Sequence, residues 1–317
     1  MNNMNIAFFG SPRLAAACLT ELIHAFQVKL VVTQPDREAG RGRRIAGTLV
    51  NDIAVKEKIT VSKPRQIDKT LFETLNSLRI NLIVVVAYGK ILPEEIISLP
   101  EYGCLNLHGS LLPKYRGPSP NQSALLNGER ITGITVQVMK NEMDAGDVVS
   151  QEEIPVNPEW TAEDLMNEII GRAPFFLVKT IKNYLSGTIT PQPQRESEVT
   201  YCSKIRKEDG FIDWHESAEA ILNKVKAFNL WPVSFTYLDG NVLRIYRAHI
   251  HSVKSIVPDE PGKIAALDKS KGIVVQTGKG MISILELQLE NKKRMNYRDF
   301  MNGYRNLEGK VLGPGTV

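Results

Sequence analysis

Residues 82–108 read LIVVVAYGKILPEEIISLPEYGCLNLH, and their pattern decides the fold. The first six form a continuous apolar run, as expected of a central strand in a parallel sheet covered on both faces. The last five, CLNLH, are a second short strand, whose apolar Cys104, Leu105 and Leu107 carry Asn106 and His108 to its end. Residues two apart on a strand share a face, so the amide and the imidazole point the same way. Tyr88-Gly89-Lys90-Ile91-Leu92-Pro93 leaves the first strand at the edge where open α/β sheets place ligands, and its backbone groups are candidates to bond one. Beyond His108 follow Gly109-Ser110, Pro113 and Gly117-Pro118-Ser119-Pro120, too irregular to be core. A prolyl loop is stiff enough to wall a planar ligand.

Working outward toward the N-terminus, residues 5–9 (NIAFF) and 29–33 (KLVVT) read as strands. The helix between them, 13–26, has Leu14, Cys18, Leu22 and Phe26 at helical spacing. Strand, helix, strand implies a parallel right-handed crossover. The turn Gly10-Ser11-Pro12 is not GxGxxG, so it supports no dinucleotide site. Residues 34–44, QPDREAGRGRR, follow the second strand as a flexible cationic loop at the ligand edge. Arg41, flanked by glycines, has the reach to grip a phosphate bidentately. Residues 48–58 read as a helix that buries Val50, Ile53 and Ala54.

Toward the C-terminus, residues 121–127 read as a helix stopped by Gly128, and 134–139 and 148–156 as a hairpin whose turn delivers Asp144 and Asp147. A helix opens at Thr161 with Asp164 three residues on. It continues through Leu165, Ile169, Ala173, Phe176, Leu177, Ile181 and Tyr184, with a kink expected at Pro174. Pro191 and Pro193 mark an extended linker over 187–205. After it come an amphipathic helix at 217–228 and strands at 233–238, 242–249, 262–267, 272–277 and 281–289, separated by Gly turns. Short strands at such spacing suggest a small open barrel. The whole reads as a Rossmann-like, mostly parallel α/β sheet domain (1–186), a linker (187–205) and a smaller OB-like β-barrel domain (206–317).

The chain has 317 residues, 43% hydrophobic and 23% charged, the balance of a soluble globular protein. No apolar run is long enough for a membrane span, and MNNMNIAFFG lacks the basic start of a signal peptide. Cys18, Cys104 and Cys202 are too few and too scattered for a disulfide framework, which suits a reducing cytoplasm. Charge is uneven. From residue 204 onward there are 18 Lys and Arg against 13 Asp and Glu; taken from 39 and 35, this leaves 21 against 22 for residues 1–203. A basic second half suits a polyanion such as RNA, or serves only as a solubilising surface.

Asn106, His108 and Asp144 are the candidate catalytic set. An imidazole moves protons near neutral pH, a carboxylate beside it orients it, and an amide donates to a developing oxyanion. His24, His215, His249 and His251 have no such surroundings, and no HExxH, P-loop or GxSxG is present. The histidines lack metal-ligand spacing, so metal-free chemistry with a soluble cosubstrate is expected.

NLHGSLLPKYRG at 106–117, with Asp144 in DAGD, resembles the 10-formyltetrahydrofolate-dependent formyltransferases. The resemblance implies Asn106, His108 and Asp144 as the catalytic trio, and SLLPKYRG at 110–117 as the folate-site loop. Ser110, Leu111, Leu112 and Pro113, with Tyr88, Gly89 and Ile91, are then the expected cosubstrate contacts. QPDRxxGRG at 34–42, VVVAYGKILP at 84–93 and KEDGxIDW at 207–214 narrow the resemblance to the branch that formylates methionine on initiator tRNA. That implies tRNA contacts at Arg37, Arg41, Arg43 and Arg44, and at Lys204, Arg206, Lys207, Lys292, Lys293 and Arg294. Asn121 and Ser123 stand where the family commonly has Ile and a larger residue, a departure that bears on the folate wall and not on the trio. Nothing demands more than a monomer. Two other readings stand beside this one. A sugar-nucleotide formyltransferase is opposed by the GRG loop and the basic second domain; a non-catalytic RNA-binding module is opposed by the trio.

Overall fold

The structure is a computed structural model that describes residues 4–39, 44–252 and 260–314, with 37–39 and 44–46 described by backbone alone. The chain divides into two units. The first comprises Met1–Pro120, Ile131–Pro155 and Met166–Ser203; the second comprises Asn121–Arg130, Val156–Leu165 and Lys204–Val317.

The first unit is built on β1 (Asn5–Gly10), followed by α1 (Arg13–Ala25) and β2 (Gln27–Val32). β3 (Arg37–Ala39) and β4 (Arg44–Ala46) pair antiparallel, so the cationic segment read as a flexible loop is a two-stranded ribbon in its described part. α2 (Leu49–Lys56) starts at Thr48, whose hydroxyl accepts from the Asn51 amide at 3.1 Å. β5 (Thr60–Ser62) and α3 (Lys69–Ser77) occupy a stretch to which the sequence pattern assigns no element. β6 (Leu82–Val86) is buried at every position. Each of its large aliphatic side chains contributes about 1.5–3 kcal/mol by leaving water. In chain order α4 (Glu94–Ile97) follows, then β7 (Cys104–His108), α5 (Pro120–Leu126), β8 (Ile131–Val138), β9 (Val148–Pro155) and α6 (Ala162–Leu185), of which α5 beyond Pro120 and the start of α6 group with the second unit.

The sheet order is β5-β2-β1-β6-β7-β8-β9. Pairs from β5 to β7 are parallel; β7–β8 and β8–β9 are antiparallel, as the hairpin reading expects. β7 is therefore the switch strand, with a parallel neighbour on one side and an antiparallel one on the other. Asn106 faces Val85 across one edge and Gln137 across the other. α6 opens on a reciprocal cap between Thr161 and Asp164 and runs as one 24-residue element through Pro174. Residues 187–203 belong to the first unit.

The second unit carries α7 (Ala218–Ala227), then β10 (Ser234–Leu238), β11 (Asn241–Ile250), β12 (Ile264–Asp268), β13 (Gly272–Gln276), β14 (Met281–Leu289), β15 (Met295–Asn296) and α8 (Tyr297–Gly303). The sequence pattern predicts neither β15 nor α8. The sheet is antiparallel throughout, in the order β10-β11-β14-β13-β12 with β15 on β14. Trp214, Ile221, Ile245, Val275, Ile284 and Phe300 lie in its core. Residues 121–130 and 156–165 group here: Asn223 Nδ2 donates to the Leu126 carbonyl and Lys226 Nζ to that of Pro158. Among the described residues no helix is long and apolar enough to cross a membrane.

Candidate active site

The end of β7 meets the loop 109–119 and the turn between β8 and β9, and the segment 192–202 bonds to both. His108 is buried, 6% exposed, with both ring nitrogens facing oxygen atoms. Nε2 lies 3.0 Å from the Tyr115 carbonyl, which can only accept, so Nε2 carries the proton of that bond. Nδ1 lies 3.5 Å from Asp144 Oδ1. The carboxylate and imidazole, 36 residues apart in sequence, thus share one site. Asn106 sits two residues earlier on the same strand, half-exposed. Its amide has no hydrogen-bond partner among the described residues, which leaves it available to a carbonyl oxygen arriving from outside.

Asp144 is held at both carboxylate oxygens and at its carbonyl. Oδ1 accepts from Gln137 Nε2 at 2.9 Å, Oδ2 from the Gly117 amide at 2.9 Å, and its carbonyl from Gln194 Nε2 at 2.8 Å. Its φ is +52°, in the left-handed region that Asp tolerates better than most residues. Such a conformation persists only where its surroundings enforce it. Gly146 is required in the same turn, because a Cβ there would lie 1.7 Å from the Val138 carbonyl oxygen. Its amide donates to Gln137 Oε1 at 3.1 Å and its carbonyl accepts from Gln194 Nε2 at 2.7 Å. Asp147, the other carboxylate of the turn, pairs with Lys140 at 2.7 Å instead.

The 110–117 loop is pinned to the hairpin through Thr135. Its hydroxyl donates to the Ser110 carbonyl (2.6 Å) and accepts from the Leu112 amide (3.1 Å) and Gln151 Nε2 (3.0 Å), which is all a hydroxyl can do. Gln151 Nε2 also reaches the Leu112 carbonyl at 2.8 Å, and the Leu112–Pro113 bond is cis. Ser110 is fully buried and spends its hydroxyl on the Lys114 carbonyl, and Leu112 is buried too. Both side chains therefore serve the shape of the loop. Leu111 and Pro113 are half-buried.

On the β6 side, Ala87 and Gly89 have φ of +47° and +78°, and Gln34 Nε2 fixes the Tyr88 carbonyl at 2.8 Å. The Tyr88 ring packs edge-on against Phe9 in the core, and burial pushes its phenol up to about 12. Ile91 is 81% exposed at the same edge.

The segment 192–202, which composition marks as a linker, is bound to the loop. Tyr115 and Arg116 donate their amides to the Thr200 hydroxyl and carbonyl, and Cys202 donates its amide back to the Arg116 carbonyl. Gly117, at φ +127°, sits so close that a Cβ would lie 2.2 Å from the Cys202 carbonyl oxygen. The Arg116 side chain is 1% exposed, paired to Glu196 at 2.8 Å and donating to Gln194 Oε1 at 3.0 Å. Burial works against its charge, but Glu196 and Tyr201 outweigh it and hold the guanidinium above its ordinary value.

Gln137, Gln194, Thr135 and Gln151 are the residues of this site that sequence reasoning missed. Gln137 carried one signal: it is a polar residue inside the alternating strand TVQV, next to the strand that holds Asn106. The three cysteines are buried and in no disulfide, and burial pushes the thiols of Cys18 and Cys104 up.

Of the cationic positions, Arg41 and Arg43 lie outside the described residues, while Arg37 and Arg44 sit on the ribbon strands. Lys204, Arg206, Lys207, Lys292 and Lys293 are exposed. Arg294 is committed internally. It makes a two-pronged pair with Glu286 at 2.7 and 2.6 Å and lies 4.1 Å over the Tyr246 ring.

Family models for formyl transferase match residues 4–181, and for the formyl transferase C-terminal domain residues 204–305. A methionyl-tRNA formyltransferase of Clostridium perfringens is 39% identical over 311 residues, covering 98% of this chain and all of that protein. Two solved structures share the fold at under 20% identity. An N-formyltransferase from Helicobacter canadensis, complexed with folinic acid and dTDP-3-aminofucose, aligns with a TM-score of 0.66 at 18% identity over 89% of this chain and 98% of its own. HypX from Aquifex aeolicus, complexed with tetrahydrofolic acid, aligns at 0.62 and 19% over 96% of this chain and 48% of its own.

Proposed function

This chain belongs to the formyl transferase family, and from that premise we propose that it transfers a formyl group from 10-formyltetrahydrofolate to the α-amine of methionine on initiator tRNA. The observation that carries the reading is the meeting of His108 and Asp144 at 3.5 Å beside the unpartnered Asn106 amide. The near-full-length likeness to a methionyl-tRNA formyltransferase supports the substrate. The sugar-nucleotide alternative rests on the far more distant likeness at 18% identity.

The donor set fits a formyl carrier: a free amide, an oriented imidazole and a carboxylate, with a braced loop alongside. When bound, 10-formyltetrahydrofolate supplies the activated one-carbon group. The 110–113 loop and the backbone at Tyr88 and Gly89, with Ile91, would hold it. An α-amine titrates near pH 7.7–8.0 in model compounds, so a useful neutral fraction attacks at pH 7. Asn106 donates to the charge that builds on the carbonyl oxygen, and one such donor is worth about 3 kcal/mol of barrier; His108, with its Nε2–H kept on the Tyr115 carbonyl, lends its positive field when protonated. Asp144 orients His108 and helps draw off the amine proton, directly or through water. The cationic segment 34–44, with Arg41 as its main contact, meets the acceptor end of the tRNA. Lys204, Arg206, Lys207, Lys292 and Lys293 hold phosphates, with Arg294 fixing the strand end that presents the last two. One copy of the chain carries every residue named, so it acts as a monomer, in the cytoplasm where charged tRNA is found.

The test is single-turnover formyl transfer from 10-formyltetrahydrofolate to charged initiator tRNA, run beside amino-sugar nucleotides. Formylation of the tRNA alone is expected. Formylation of the sugar alone would overturn the substrate assignment.

A further inference from the structure

Two glutamines hold the Asp144 turn, and one of them comes from the segment 192–202. Gln194 has no freedom in how its amide is turned. Arg116 Nε can only donate, so it faces Oε1 at 3.0 Å; the carbonyls of Asp144 and Gly146 can only accept, so both face Nε2, at 2.8 and 2.7 Å. A flipped amide would set oxygen against two oxygens and N–H against N–H. Both amide hydrogens are therefore spent on the two residues that shape the left-handed corner carrying the carboxylate. Gln194 is itself anchored, because the Arg116 guanidinium behind it is enclosed and fixed by Glu196. Val148 and Gln192 add a two-way main-chain bridge just upstream.

We infer that Gln194 is a positioning residue for formyl transfer: its amide, held by Arg116, fixes the backbone of the Asp144 turn and so the direction in which the carboxylate meets His108. The inference rests on the reading of Asp144 as part of the catalytic set, and it gives 192–202 a part in the chemistry as well as in the covalent connection. Gln137 holds the same turn by its carboxylate oxygen and the Gly146 amide, so losing Gln194 leaves the turn attached but free to swing about that point.

Gln194→Glu separates this role from simple docking of the segment. The carboxylate keeps, and strengthens, the contact with Arg116, but it has no hydrogen to give the two carbonyls. Gln194→Met removes all three contacts at similar volume. For Gln194→Glu we expect kcat to fall about 10–100-fold, as for a misplaced catalytic group, with the KM for tRNA and for the folate donor within about twofold and the melting temperature close to that of the parent protein. The His108 ring NMR signals, recorded on the protein alone, should move in both variants, a readout that needs no substrate. A kcat for Gln194→Glu within twofold of the parent, with unmoved ring signals, would overturn the assignment. So would parallel loss of kcat, both KM values and melting temperature, which would make Gln194 a structural tie only. A parent protein inactive on every acceptor would refute the proposed function instead, and the ring signals would still decide the positioning role.

Discussion

The turn that carries Asp144 and the exposed lysines of the second unit are both proposed to meet substrate, yet they are held in opposite ways. In the turn, the carboxylate and the backbone of a strained corner are met by Gln137, Gln194 and Gly117 at 2.7–3.1 Å. Lys292 and Lys293 stand exposed in solvent. Acyl transfer depends on direction, so its groups must be placed before substrate arrives. Phosphate binding depends on charge summed over many contacts, so no single lysine needs to be fixed. Arg294 marks the boundary, a cation placed as firmly as a catalytic group but placed on its own protein.

If this contrast is right, single substitutions should act sharply at the turn and weakly at the lysines. Asp144→Asn should lower kcat by about 10³-fold, the scale of a lost acid–base partner, while tRNA affinity measured by filter binding stays within twofold. Asn106→Ala should lower kcat by about 10²-fold, as for one oxyanion donor, and leave the melting temperature unmoved, because the amide supports nothing in the fold. Gly146→Ala forces a Cβ to within 1.7 Å of a carbonyl oxygen; it should cost about 1–3 kcal/mol of stability in a denaturant titration and reduce turnover as the turn shifts. Arg41→Ala should raise the KM for tRNA about tenfold, the loss of one well-made phosphate interaction, and spare the KM for the folate donor. The smallest effect belongs to Lys292→Ala with Lys293→Ala, which should weaken tRNA several-fold and flatten the salt dependence by about 0.7–0.9 for each phosphate no longer neutralised. Arg294→Ala should behave differently, losing about 1–2 kcal/mol of stability with its ion pair and ring contact and little direct phosphate binding.

The same contrast governs what is legible in the sequence. The parallel sheet is legible because β6 is an unbroken apolar run, and the hairpin because ITVQVM and its turn alternate. Asn106, His108 and Asp144 are legible as residue types at strand ends and turns. What stays hidden is whatever depends on long-range pairing. Gln194 follows two closely spaced prolines and looks like linker; only folding sets its amide on a turn 50 residues earlier. β15 escapes because it is only two residues long, whereas α3 was legible: Asp68 caps it and Leu71 and Leu75 form its buried stripe. The ribbon at β3–β4 reads as a loop because its strands are three residues long and hold Glu38, Ala39 and Ala46, types depleted in strands.

The central claim is that His108 and Asp144 work as one device. A double-variant cycle in single-turnover formyl transfer, with His108→Gln, Asp144→Asn and the two together, measures it. Residues that act as a unit lose their contribution once, so the double variant should run within about threefold of the slower single variant. A double variant slower by the product of the two separate losses would mean that the imidazole and the carboxylate serve different steps, and their meeting at the end of β7 would not be the catalytic arrangement.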